Sequence, residues 1–77
     1  TITQEVKPME TIGNRLKIER KKQKLTQVEI SNMLNISHAT YNGYENDKHL
    51  PDVITICKIA DILKTSTDYL LGRYDRQ

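Results

Sequence analysis

The sequence predicts an all-α domain built from five short helices. Residues that start helices recur along it: Thr11, Thr26, Ser37, the Pro51-Asp52 pair and Ser66. Between them, apolar residues fall at three- and four-residue steps, the spacing that puts side chains on one face of a helix. No segment alternates apolar and polar residues as a half-buried strand would.

The 77 residues, 9.0 kDa in mass, make one domain. Charged residues at 29% and apolar residues at 36% give a globular composition and argue against a disordered or fibrous chain. Apolar runs such as Leu70–Leu71 are far too short to cross a bilayer, and no secretory signal core is present. The single cysteine, Cys57, makes no disulfide within the chain, so the expected location is the cytoplasm.

Residues 1–10 carry no helical period and read as an N-terminal tail; residues 73–77 read as a C-terminal tail, with the domain between them at 11–72. The first helix is expected over about Thr11–Gln23, with Ile12, Leu16, Arg20 and Gln23 on one face. An arginine among inward positions requires a partner. The second begins at Thr26, where Thr26 and Glu29 form a capping box, and carries the stripe Gln27, Ile30, Ser31 and Leu34. Ser31 is small enough for another helix to approach closely. Asn35 follows as a left-handed cap. The third helix runs from Ser37 to about Glu45. Tyr41 and Tyr44 point to the core, with the Tyr41 hydroxyl within reach of a phosphate, while His38, Ala39, Asn42 and Gly43 face away. Pro51 sets the start of the fourth, whose apolar face is read as Val53, Ile56, Cys57, Ala60 and Leu63. Ser66 caps a fifth, which buries Tyr69, Leu70 and Leu71 and stops at Gly72.

Charge is segregated. Residues 14–24 carry +5, leaving −3 for the rest of a chain whose net charge is +2, so one face suits a polyanion. Two short capped helices joined through Asn35 and Ile36 form a helix-turn-helix. In that geometry the start of the first helix can hold a phosphate on its free amides, with Gln27 adding a donor. The second helix enters the major groove with short polar residues at its start, here Ser37, His38, Ala39, Thr40 and Asn42.

Residues 12–72 resemble the XRE family, the helix-turn-helix domain of lambdoid phage repressors and Cro proteins. The carrying residues are Leu25-Thr26-Gln27, Ile36-Ser37, Tyr44-Glu45-Asn46, Lys48, Leu50-Pro51, Lys58-Ile59-Ala60 and Ser66 through Gly72. The resemblance implies a five-helix lambda-repressor-like fold that binds double-stranded DNA as a symmetric homodimer on a palindromic operator, as a transcriptional repressor. By position it assigns Gln27, Asn46 and Lys48 to phosphates, and Ser37, His38, Ala39, Thr40, Asn42 and Gly43 to bases or the adjoining backbone. It also pairs Arg20 with Glu45 in a structural ion pair. Lys24, Asp47 and Lys64 stand where the family commonly has glycine, and Glu19 where it has an apolar residue. Ala39 and Gly43 replace long polar readers. Ala39 suits a thymine methyl; Asn42 either pairs with adenine or holds a phosphate. Gly43 allows a closer approach to the DNA backbone, with DNA shape carrying part of the selectivity.

Other functions fit the same residues: an antitoxin or other protein-interaction module with secondary DNA binding, or an activator controlling a restriction-modification operon. Nothing marks an enzyme. There is no phosphate-cradling glycine loop, no nucleophile–base pattern and no metal spacing among His38, Asp47, His49 and Cys57, so neither cofactor nor metal is expected. His49 reads as loop, and Tyr69, Leu70 and Tyr74 as dimer contacts. An excess of Lys over Arg, eight to four, and nine isoleucines fit an AT-rich bacterial or phage genome. A first residue other than Met and an end at Gln77 fit a piece of a longer repressor.

Overall fold

A computed structural model of the chain describes residues 11–73. They form α1 (Ile12–Lys22), α2 (Gln27–Leu34), α3 (His38–Glu45), α4 (Val53–Leu63) and α5 (Thr67–Leu71), and no strand occurs among the described residues. Tyr74 and both tails lie outside this range.

Each helix starts where a side chain can take an orphan backbone amide. Thr11, Thr26, Ser37, Asp52 and Ser66 accept from the amides of Asn14, Glu29, Thr40, Thr55 and Tyr69 respectively. At α2 the box is complete, since Glu29 also accepts the Thr26 amide at 2.7 Å. At α4 the cap is Asp52, and Pro51 lies outside the helix.

The stops are equally uniform. A left-handed residue follows each helix: Lys24, Asn35, Asp47, Lys64 and Gly72, all with φ between 59° and 76°. At every one the next amide reaches back across the turn, as Leu25 does to the Arg20 carbonyl, Ile36 to Ser31, Lys48 to Gly43, Thr65 to Ala60 and Arg73 to Asp68. This is the Schellman arrangement, and glycine supplies only the last of the five. Asp47 offsets the strain with its side chain, which takes the Thr11 hydroxyl at 2.6 Å and the Gly13 amide at 2.9 Å.

The core joins Leu16 from α1, Ile30 and Leu34 from α2, Tyr41 and Tyr44 from α3, Ile56, Ile59, Ala60 and Leu63 from α4, and Leu70 from α5. Accordingly α1 packs on α3 and α5, α2 on α3 and α4, and α4 on α5. Ser31, 2% exposed, lies on the packed side of α2 and bonds the Val28 carbonyl. Gly13 is needed where α1 starts, because a Cβ there would collide with the backbone carbonyls of Tyr44 and Glu45.

Several side chains lie elsewhere than the periodicity indicates. On α4 the buried arc is Ile56, Ile59, Ala60 and Leu63, while Val53 and Cys57 are exposed. Both sit on the flank of that arc, and Val53 is the first residue of the helix. On α5 Leu70 is fully buried, so it is not available to a second copy, while Tyr69 is half-buried and Leu71, expected inside, is exposed. Glu19 is buried at 8% exposure, with the Lys22 ammonium 3.2 Å from its carboxylate. No helix among the described residues is long and apolar enough to cross a membrane.

Candidate nucleic-acid interface

α2 and α3 are joined only by Asn35, Ile36 and Ser37. The left-handed Asn35 reverses the chain, Ile36 tucks partly under the turn, and Ser37 at once caps α3. The starts of the two helices are thereby brought side by side, and their facing polar side chains meet.

The anchor of this face is buried. Glu45, at the end of α3, receives four donors: Arg20 Nε at 2.6 Å and Nη2 at 3.1 Å, the Tyr41 hydroxyl at 2.7 Å, and Gln27 Nε2 at 2.8 Å. Burial pushes the Glu45 carboxyl up, but the hydrogen bonds from Arg20, Tyr41 and Gln27 outweigh it and hold the group below the usual carboxylate range. The Arg20 guanidinium is pushed up by its bond to Glu45. Burial, reinforced by Glu45, pushes the Tyr41 phenol well above its ordinary value. Arg20 also donates to the Leu25 carbonyl at 2.8 Å. This orients the α1–α2 turn, and Arg20 is thus matched to Glu45 on the inward face of α1. The Tyr41 hydroxyl points inward to Glu45, and its ring is fully buried, so it has no path to a phosphate.

Gln27 carries the anchor outward. With its amide nitrogen on Glu45, its oxygen meets His38 Nε2 at 2.8 Å and takes Asn42 Nδ2 at 3.0 Å. Asn46 closes the chain by donating its side-chain amide to the Asn42 side-chain oxygen at 2.9 Å and backbone carbonyl at 3.0 Å. Both donor hydrogens of Asn46 are engaged there, whereas Gln27 keeps one for an outside acceptor. Ser37 takes the Thr40 amide and donates to the Thr40 hydroxyl at 2.9 Å. Ser37, His38 and Ala39 are exposed, Gln27, Thr40 and Asn42 half-buried, and Asn46 and Lys48 exposed past the end of α3.

Gly43 and His49 face each other. Gly43 is buried, and the place its side chain would fill holds the His49 imidazole. That ring stands edge-on to Tyr44, centroids 5.4 Å apart, and its Nε2 is 3.3 Å from the Thr40 carbonyl. His49 lies in the loop after α3, as expected, and its ring covers Gly43. The sequence signal was available only as a pair: a glycine in mid-helix with an aromatic six residues later. Gln27 and Asn46 meet His38 and Asn42 on this face, Lys48 lies exposed in the loop that follows, and the link from Gln27 to Glu45 has no signature in the spacing. Among the described residues no group of three or more His, Cys, Asp or Glu side chains is arranged to hold a metal ion.

The five helices, the αL turn between α2 and α3, and the polar starts of both helices define a helix-turn-helix protein. A helix-turn-helix family model matches residues 16–70, and the chain belongs to that family, of the XRE type. It is 41% identical over 63 residues to the HTH-type transcriptional regulator ImmR of Bacillus subtilis, covering 82% of this chain and 50% of that protein. It is 38% identical over 63 residues to the cryptic phage CTXphi transcriptional repressor RstR of Vibrio cholerae, covering 82% of this chain and 56% of that one. The chain thus spans about half the length of the curated relatives it matches. In fold it is similar to the P22 c2 repressor protein, solved in complex with synthetic operator 9T. That match has a TM-score of 0.80 and 26% identity, and covers 86% of this chain and all of that one.

Proposed function

We propose that residues 11–72 are the sequence-specific, double-stranded DNA-binding domain of a transcriptional regulator. It is a repressor that occupies a two-fold operator as a pair of copies in a bacterial or phage-infected cytoplasm, and a binding module rather than a catalyst. The observation that carries this reading is the shared face of α2 and α3. Two capped helix starts stand together there, with Ser37, His38 and Ala39 exposed, Thr40 and Asn42 half-buried, and Lys48 exposed in the loop after α3. The likeness in fold to a repressor solved on its operator supports it.

In this reading the α2 start, the second amide hydrogen of Gln27 and Lys48 hold phosphates, while His38 and Asn42 read base edges and Ala39 packs on a thymine methyl. Asn46 reaches a phosphate only by releasing Asn42. Gly43 contributes through the fit of His49 rather than by a contact of its own. With Leu70 in the core, the most exposed of the large apolar side chains among the described residues are Leu50, Val53 and Ile54, between 67% and 76% exposed, ahead of Met33, Val28 and Leu71, and these three are the ones we assign to contact with a second copy.

Binding measured against salt on operator and random duplexes tests the assignment. Lys48→Ala is expected to weaken both alike and to lower the salt slope by roughly 1. His38→Ala is expected to lose about 1–3 kcal/mol of preference for the operator. Equal loss on both duplexes for His38→Ala would place the reading surface elsewhere.

A further inference from the structure

The hydrogen-bond chain behind α3 fixes more than the position of His38. Glu45 is ionised and can only accept, so the 2.8 Å contact with Gln27 is a donation from the amide nitrogen. Turned over, that amide would set two oxygens against each other. The Gln27 oxygen therefore faces α3, where Asn42 donates to it and His38 Nε2 lies 2.8 Å away. An amide oxygen carries no proton, so the proton on that contact belongs to Nε2 of His38. In the neutral imidazole the other ring nitrogen, Nδ1, is then bare and acts only as an acceptor.

We infer that His38 reads an exocyclic amino group, N4 of cytosine or N6 of adenine, through Nδ1, and that Glu45 sets this choice through Gln27 without touching DNA. The inference rests on the proposed entry of α3 into the major groove. Guanine O6 and N7 and thymine O4 are all acceptors, and a bare Nδ1 offers them nothing. The neighbouring readers do not share this constraint. The Thr40 hydroxyl, which accepts from Ser37, keeps its own proton to donate, and the Asn42 amide presents both kinds of group. His38 is the position where the direction of the hydrogen bond is decided by the protein core. Glu45 and Gln27 act as positioning residues for it.

The test begins with duplexes selected from a random pool by the intact protein. The base read by His38 is the one whose preference disappears in His38→Ala. In the selected duplex, cytosine there is replaced by 2-pyrimidinone, or adenine by purine, which deletes only the amino group. In a parallel duplex, a 7-deaza purine at the same pair deletes only the N7 acceptor. The expected result is a loss of roughly 3- to 10-fold on amino deletion for the wild type and none for His38→Ala. The ratio between the two proteins stays unchanged on the 7-deaza duplex. The reverse pattern, with N7 deletion costly and amino deletion free, overturns the inference while leaving α3 as the reading helix. Loss of binding spread over every position in His38→Ala overturns both.

Two further readouts address the positioning role. Nitrogen-15 spectra of the free protein are expected to show His38 with its proton on Nε2, and a proton on Nδ1 overturns the proposal. Gln27→Ala, which leaves the Arg20–Glu45 pair in place, is expected to abolish the amino preference at the His38 position and keep the preferences at positions read by neither His38 nor Asn42, since Asn42 shares the Gln27 oxygen. Retention of that preference in Gln27→Ala overturns the role given to Gln27.

Discussion

The α1–α2–α3 side of this domain and its α4–α5 side are held together by different means. On α4 and α5 the contacts are apolar: Ile56, Ile59, Ala60, Leu63 and Leu70 are all nearly or fully buried. Between α1, α2 and α3 the centre is a carboxylate with four donors on it, drawn from all three helices. Apolar packing tolerates small slips in position, whereas a bidentate guanidinium, a phenol and an amide converging on one carboxylate do not. The polar centre lies directly behind the surface proposed to meet DNA, and the tolerant centre lies away from it. Where the helix proposed to face the groove must sit in one orientation, the fold uses directional bonds.

Removing one partner from each side separates the two. Glu45→Ala leaves the Arg20 charge and the Tyr41 hydroxyl buried without their acceptor, and is expected to cost about 3–5 kcal/mol in urea unfolding. Replacing the cluster together by Arg20→Met, Tyr41→Phe and Glu45→Leu is expected to return most of that stability and still to lose operator preference, since Gln27 then has no anchor. If the triple variant bound its operator normally, the orienting role of the cluster would be wrong. Leu63→Ala, on the apolar side, is expected to cost about 2–5 kcal/mol by opening a cavity, with the specificity of the surviving folded protein unchanged.

Acid distinguishes the two sides again. The Glu45 carboxyl titrates lower in the fold than its ordinary value of 4.5. Its contribution to stability is therefore complete above that value and is lost as pH falls through the depressed one. Asp52, held low by hydrogen bonds from Thr55, acts in the same direction from the surface. Stability between neutral pH and pH 3 is expected to fall less steeply in Glu45→Gln than in the wild type, and to keep the wild-type slope in Leu63→Ala. An unchanged slope in Glu45→Gln would assign the acid sensitivity elsewhere.

The smallest effects lie at the helix ends. Lys64 adopts φ 59°, and among the described residues its side chain makes no bond that would repay the strain, so Lys64→Gly is expected to stabilise by about 1 kcal/mol. Asp47 has the same φ, but its carboxylate holds Thr11 and Gly13. Asp47→Gly is expected to be neutral or destabilising in the same thermal measurement. Equal gains at both positions would mean that the Asp47 contacts count for nothing.

How much of this was legible beforehand follows the range of each interaction. Helix starts depend on a side chain and an amide three residues on, so Thr26, Ser37 and Ser66 announced themselves, as did Asn35 and Gly72 as stops. The ion pair between Arg20 and Glu45 spans 25 positions, and only the family resemblance pointed to it. Burial on α4 was misread at Val53 and Cys57, because periodicity ranks faces without knowing where the neighbouring helices end. The place of His49 against Gly43 and the reach of Gln27 to Glu45 depend on how α2, α3 and the following loop stack, which no local pattern encodes.

Gly13 carries a consequence for genetics. Its bare Cα rests against the carbonyls that end α3, so any side chain there wedges α1 away from the backbone of Glu45 itself. Under the proposed function, a screen for lost DNA binding would therefore collect substitutions at Gly13, on a helix assigned to neither base nor phosphate. Compensating second-site changes would be sought along α3 rather than in the operator.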